Sequence, residues 1–113
     1  MVSFNDGRRT VRYPFSDLHS FKDYVTYVQT YLPDRFHPRE GYEPEEQWTL
    51  EFALQGLRLG LRMAVEEKGD KPVFAECSRL VDKAESEYRD GRWRDGFATL
   101  EEVSKLLDRV PTH

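Results

Sequence analysis

The segment 44–69, PEEQWTLEFALQGLRLGLRMAVEEKG, decides the fold. At helical spacing, Trp48, Leu50, Phe52, Ala53, Leu54, Leu57, Leu59, Leu61, Met63, Ala64 and Val65 cover most of the turn. Only Glu51, Gln55, Arg58 and Arg62 form a polar strip. A helix apolar on most sides is central in its fold or shared with a partner. Pro44 suits a first turn, where its missing N–H is not needed. Glu43, Glu45 and Glu46 complement the positive end of the helix dipole. With Gly69 as the stop, the pattern predicts a helix from about Pro44 to Lys68.

Gly56, Gly60 and Ala64 recur at every fourth position of this segment. Each glycine costs roughly 1 kcal/mol of helix propensity relative to alanine, so a close packing contact is expected to offset it. Two occupants of the strip are expected: a helix of the same chain, or a second copy related by a twofold axis. Arg58 and Arg62 interrupt the segment, so the membrane form of such a motif does not apply.

Working outward, Leu18, Phe21, Val25, Val28 and Leu32 predict a helix over 16–32, capped by Ser16 or Asp17 and stopped by Pro33. Residues 33–43 read as a polar connector broken by Pro33, Pro38 and Gly41. A third helix is expected over about Lys71–Arg89, with Asp70 as its cap and Val73, Phe74, Cys77, Leu80, Val81, Ala84 and Tyr88 on one face. A fourth is expected over about Arg92–Arg109, with Trp93, Phe97, Leu100, Val103, Leu106, Leu107 and Val110 as its stripe. The short Asp90-Gly91 break makes these two antiparallel neighbours. Val2 and Phe4, a turn signal at Asn5-Asp6-Gly7, and Val11 and Tyr13 outline a hairpin over 1–13. The expected fold is all-α: one domain over 1–113, a compact bundle of about four helices with a short N-terminal β-hairpin. Leu54, Leu57, Leu61, Leu80, Ala84, Leu100 and Leu107 are its expected core.

Composition narrows the function classes. Seventeen basic against 21 acidic residues leave a net charge of −4, which does not favour nucleic acid or anionic lipid. Charged residues make up 34%, as outward faces of amphipathic helices require, and 13% aromatics are too many for a disordered chain. Cys77 is the single cysteine, so no internal disulfide forms and a reducing, cytoplasmic compartment is expected. Neither a membrane span nor a secretory signal is expected.

No phosphate-binding glycine loop or nucleophile elbow is present. His19, His37 and His113 lack ligand spacing, so no metal, cofactor or catalytic residue is assigned. His19 precedes Asp23 by four residues, which suits a surface ion pair. Arg8, Arg9 and Arg12, with Arg35 and Arg39, make a small basic cluster. Tyrosines gather in the first half, at Tyr13, Tyr24, Tyr27, Tyr31 and Tyr42. A large ring with one polar tip suits a surface buried on binding. The candidate interaction residues are therefore Tyr24, Tyr27, Tyr31, Trp48, Gly56, Gly60 and Ala64.

Residues 80–107 resemble the helical hairpin of a tetratricopeptide repeat. Leu80 and Ala84 match packing positions of its first helix, Gly91 falls at the turn, Trp93 takes the following aromatic place, and Leu100 fits the large residue of the second helix. Gly96 and Val103 stand where the repeat prefers alanine, and Tyr88 is displaced by one position. The resemblance covers about a quarter of the chain, without a second copy, and implies a helical hairpin with a peptide-binding role. The expected function is a non-enzymatic protein–protein interaction module: a regulator, adaptor or oligomeric accessory protein that binds a protein partner or forms a homodimer. Two alternatives are an immunity or inhibitor protein neutralising a basic partner, and a small enzyme or ligand binder with a His/Tyr/Arg pocket.

Overall fold

The computed structural model describes residues 2–5, 10–32 and 49–111, with side chains from Tyr13 onward. Strands β1 (Val2–Asn5) and β2 (Thr10–Tyr13) pair antiparallel, Val2 opposite Tyr13 and Asn5 opposite Thr10. Four helices follow: α1 (Leu18–Tyr31), α2 (Leu50–Lys68), α3 (Pro72–Arg89) and α4 (Trp93–Asp108). The all-α expectation holds.

Local chemistry sets the helix ends. The Asp17 carboxylate accepts from the Ser20 amide at 2.9 Å while the Ser20 hydroxyl accepts from the Asp17 amide, a reciprocal capping box. α2 begins at Leu50, where Thr49 is extended and its hydroxyl accepts from the Phe52 amide at 3.1 Å. This corrects the expected start at Pro44, which lies outside the described residues. Asp70 is not the cap of α3: Lys71 takes that position and makes no side-chain hydrogen bond, and Pro72 opens the helix. Gly91 turns the chain between α3 and α4 at φ +81°, a conformation side chains rarely adopt.

Cross-helix contacts give the direction of each neighbour. The Leu18 amide donates to Glu67 Oε1 at 2.9 Å, and the Tyr24 hydroxyl donates to the Ala53 carbonyl at 3.0 Å, so α1 and α2 run antiparallel. Arg89 reaches Glu51, and Arg58 reaches Asp82 and Glu85, so α2 and α3 do the same. Lys22 Nζ donates to the Val110 carbonyl at 2.8 Å and Gln29 Nε2 to the Phe97 carbonyl at 3.3 Å, which sets α1 antiparallel to α4. With the tight α3–α4 turn, the result is an up-down-up-down four-helix bundle.

The seven expected core residues are all buried. An aromatic cluster joins them at the α1–α2 seam. Tyr13 stacks on Phe52 with ring centroids 4.5 Å apart, and Phe15 lies 4.9 Å from Tyr24 and 5.2 Å from Phe21. The Tyr13 hydroxyl donates to the Phe52 carbonyl at 3.1 Å. These rings cover the small-residue strip: a Cβ on Gly60 would stand 2.0 Å from the Phe21 ring, and one on Gly56 2.1 Å from the Tyr24 hydroxyl. Phe21 and Tyr24 therefore occupy the place that a second copy would need.

Gly60→Ala is expected to lower stability by about 1–2 kcal/mol, because overpacking against Phe21 outweighs the gain of roughly 1 kcal/mol in helix propensity. Urea unfolding at two well-separated protein concentrations measures this. A variant as stable as the wild type, or a midpoint that moves with concentration, would refute the intrachain role.

Candidate functional site

The expected interaction residues divide by position. Tyr24 is 2% exposed, and Gly56, Gly60 and Ala64 are buried, so these four belong to the interior of the chain. Trp48 lies outside the described residues, as do Tyr42, His37 and His113. Tyr31 is half-buried and Tyr27 is exposed; their rings lie 4.8 Å apart on the outer side of α1. Of the seven, Tyr27 is the residue that presents a large exposed ring in the described structure.

Two other aromatic residues do so without having been expected to. Trp93 is 46% and Phe97 43% exposed. The sequence pattern placed both in the core stripe of α4. The structure corrects this: the stripe centres on Gly96, Leu100, Val103 and Leu107, and Trp93 and Phe97 lie on its flank, one turn apart. Gly96 is the signal that was missed. It is buried against the Tyr88 ring, where a Cβ would stand 2.7 Å from the ring carbons, and that approach sets the rotation of α4. Arg94 lies over the Trp93 ring, 5.3 Å from its centroid.

The polar side chains at the α2–α3 seam mostly satisfy one another. Arg58 binds Asp82 at 2.9 Å and Glu85 at 2.6 Å, and Arg89 binds Glu85 at 2.8 Å and Glu51 at 3.2 Å. The Arg58 guanidinium, and after it that of Arg89, holds the Glu85 carboxyl below the usual glutamate range. Two shallow hollows, of about 370 and 350 Å³, flank this lattice, and Arg58 and Arg62 line both. His19 is exposed on α1 and makes no ion pair with Asp23 among the described residues. No group of three or more His, Cys, Asp or Glu side chains is arranged to hold a metal ion among the described residues, and no described helix is long and apolar enough to cross a membrane.

Three buried polar groups lie inside the α3 packing. Burial pushes the Cys77 thiol up to about 11, with Glu76 adding to the effect. Burial likewise pushes the Tyr88 phenol up to about 12, with Glu87 adding to it. Tyr88 Oη is, among the described residues, the buried side-chain polar atom without a protein hydrogen-bond partner. Glu87 is also buried, and its carboxylate accepts a short hydrogen bond from Thr99 on α4 and lies 3.8 Å from Lys83 Nζ. This buried carboxylate was not expected from a sequence in which it looks like one of many helix-face acids.

No protein-family model matches the chain, and no curated protein or solved structure matches it.

Two outcomes follow from the raised thiol and phenol. Both acids are held neutral in the fold, so their stabilising effect is complete below their ordinary values and is lost as pH rises through the folded ones. Stability is expected to fall between about pH 9 and 12. Tyr88→Phe is expected to reduce that fall and to raise neutral-pH stability by about 1 kcal/mol, since it removes a buried hydroxyl without a protein partner. Thermal unfolding across this range measures both, and a Phe variant less stable than the wild type at pH 7 would show that the hydroxyl is bonded.

Proposed function

We propose that this chain is a non-enzymatic protein–protein interaction module that binds a partner protein through the outer flank of α4. The observation that carries the reading is the exposed Trp93–Phe97 pair. Single exposed apolar residues are ordinary, but two large rings one turn apart form a patch. Trp and Phe are enriched at the centres of interfaces, and Trp is prominent among residues whose truncation costs most affinity. Arg94 over the indole face adds a residue type that is also enriched there.

The placement of Gly56, Gly60 and Ala64 inside the chain moves the proposed contact away from α2. A second copy of the chain is then a candidate partner only through α4 or another outer surface. The resemblance of residues 80–107 to a tetratricopeptide hairpin supports the same reading. The departure at Gly96 has a physical reason, because the Tyr88 ring fills the space an alanine side chain would need.

A photoreactive phenylalanine analogue at position 97 tests the proposal in the native host, with a control at Glu76, a partly exposed residue of α3. One dominant crosslinked protein is expected from position 97 and not from position 76. Trp93→Ala is expected to reduce its yield about tenfold, as for loss of a central interface residue. Equal crosslinking from both positions, or a yield insensitive to Trp93→Ala in a variant with wild-type circular dichroism, would refute the proposal.

A further inference from the structure

A different surface lies at the other end of α4. There the start of α3 and the end of α4 leave an open groove of about 500 Å³, within the range of ligand-binding clefts. Its apolar lining comes from Pro72, Val73, Leu106, Val110 and Pro111. Lys71 and Arg109 complete it, and both are exposed. The groove lies roughly 20 Å along α4 from Trp93, given the 1.5 Å rise per residue.

The charged side chains that line this groove are both basic. Arg58, Arg79, Arg89 and Arg92 each pair with carboxylates. Lys71 and Arg109, like Arg62 and Lys105, pair with no carboxylate among the described residues. The positive end of the α3 dipole opens beside them, and its capping residue, Lys71, supplies no acidic or hydroxyl side chain to offset it. On the opposite wall the Val110 carbonyl, at the negative end of α4, already accepts from Lys22 Nζ at 2.8 Å. An apolar groove is thus lined by two basic side chains and no acidic one, on a chain whose net charge is −4.

We infer that this groove seats a short peptide segment with apolar side chains flanked by carboxylates. The apolar side chains cover Val73, Leu106 and Val110, and the carboxylates meet Lys71 and Arg109. Electrostatic complementarity selects such a segment over a basic or neutral one of equal hydrophobicity. The groove is open, which suits side chains of an extended segment lying across it.

Random peptides displayed on phage and selected on the immobilised full-length chain are the probe. The recovered peptides are expected to carry Asp or Glu beside Leu, Ile or Phe, and their synthetic forms to shift the backbone amide resonances of Val73, Leu106 and Val110. Lys71→Glu combined with Arg109→Glu is expected to weaken their binding about tenfold or more and to turn a repeated selection toward Lys- and Arg-bearing peptides. Both positions are exposed, and the graded pair Lys71→Gln and Arg109→Gln gives an intermediate loss in a chain of unaltered circular dichroism. Selected peptides without acidic residues, affinities unchanged by charge reversal, shifts confined to Trp93 and Phe97, or no recovered peptide would each overturn the inference. Because the probe reads the α3–α4 groove and the crosslink reads position 97, either surface can fail without the other.

Discussion

The close approach of two aromatic rings to two glycines holds α1 against α2. Phe21 lies on Gly60 and Tyr24 on Gly56. The two glycines weaken α2 by roughly 2 kcal/mol in intrinsic propensity. Fully burying a large apolar side chain returns about 1.5–3 kcal/mol, so two rings seated in the strip outweigh that loss. The contact also sets direction. Leu18 meets Glu67, Phe21 meets Gly60 and Tyr24 meets Gly56, and only an antiparallel α2 satisfies all three. Tyr13 and Phe15 extend the same ring cluster and fasten the end of β2 to the helices.

Polar groups refine this arrangement more than they stabilise it. The lattice of Arg58, Arg89 and their carboxylates joins α2 to α3 on a partly exposed face, where each ion pair contributes little and salt screens it. Its value is register, since Glu51 and Asp82 lie at opposite ends and are reached together only in one alignment. Glu87 and Thr99 act differently. They sit inside the α3–α4 packing, where a carboxylate left without a partner is costly, so the bond favours the one helix rotation that makes it. That rotation, shared with the Tyr88–Gly96 contact, leaves Trp93 and Phe97 on the outer flank.

Much of the fold could be read from residue order alone. Helix spacing is local physics, and the apolar periods of α1, α3 and α4, the cap at Asp17, the proline at the start of α3 and the glycine turn at Gly91 act within a few residues of themselves. The antiparallel α3–α4 pair follows from the shortness of that turn. Gly56, Gly60 and Ala64 announced a close contact because unrewarded glycines would weaken a helix. The start of α2 was harder to place, since both Pro44 and Thr49 are good first-turn or capping residues, and the Thr49 side chain bonds the Phe52 amide.

What residue order by itself determined is the number of helices among the described residues, most of their limits and the apolar positions that drive them together, since these depend on propensity, capping and periodicity along one chain. Tertiary structure alone decided which partner fills the glycine strip, and that it is Phe21 and Tyr24 of the same chain. It also decided which aromatics stay outside. A stripe of apolar residues is wider than the face one helix can bury against its neighbours, and the Tyr88–Gly96 and Glu87–Thr99 contacts select the buried part. The same holds for the groove edged by Lys71 and Arg109: the two residues are 38 positions apart, and only the antiparallel closure of α3 on α4 brings them to one surface.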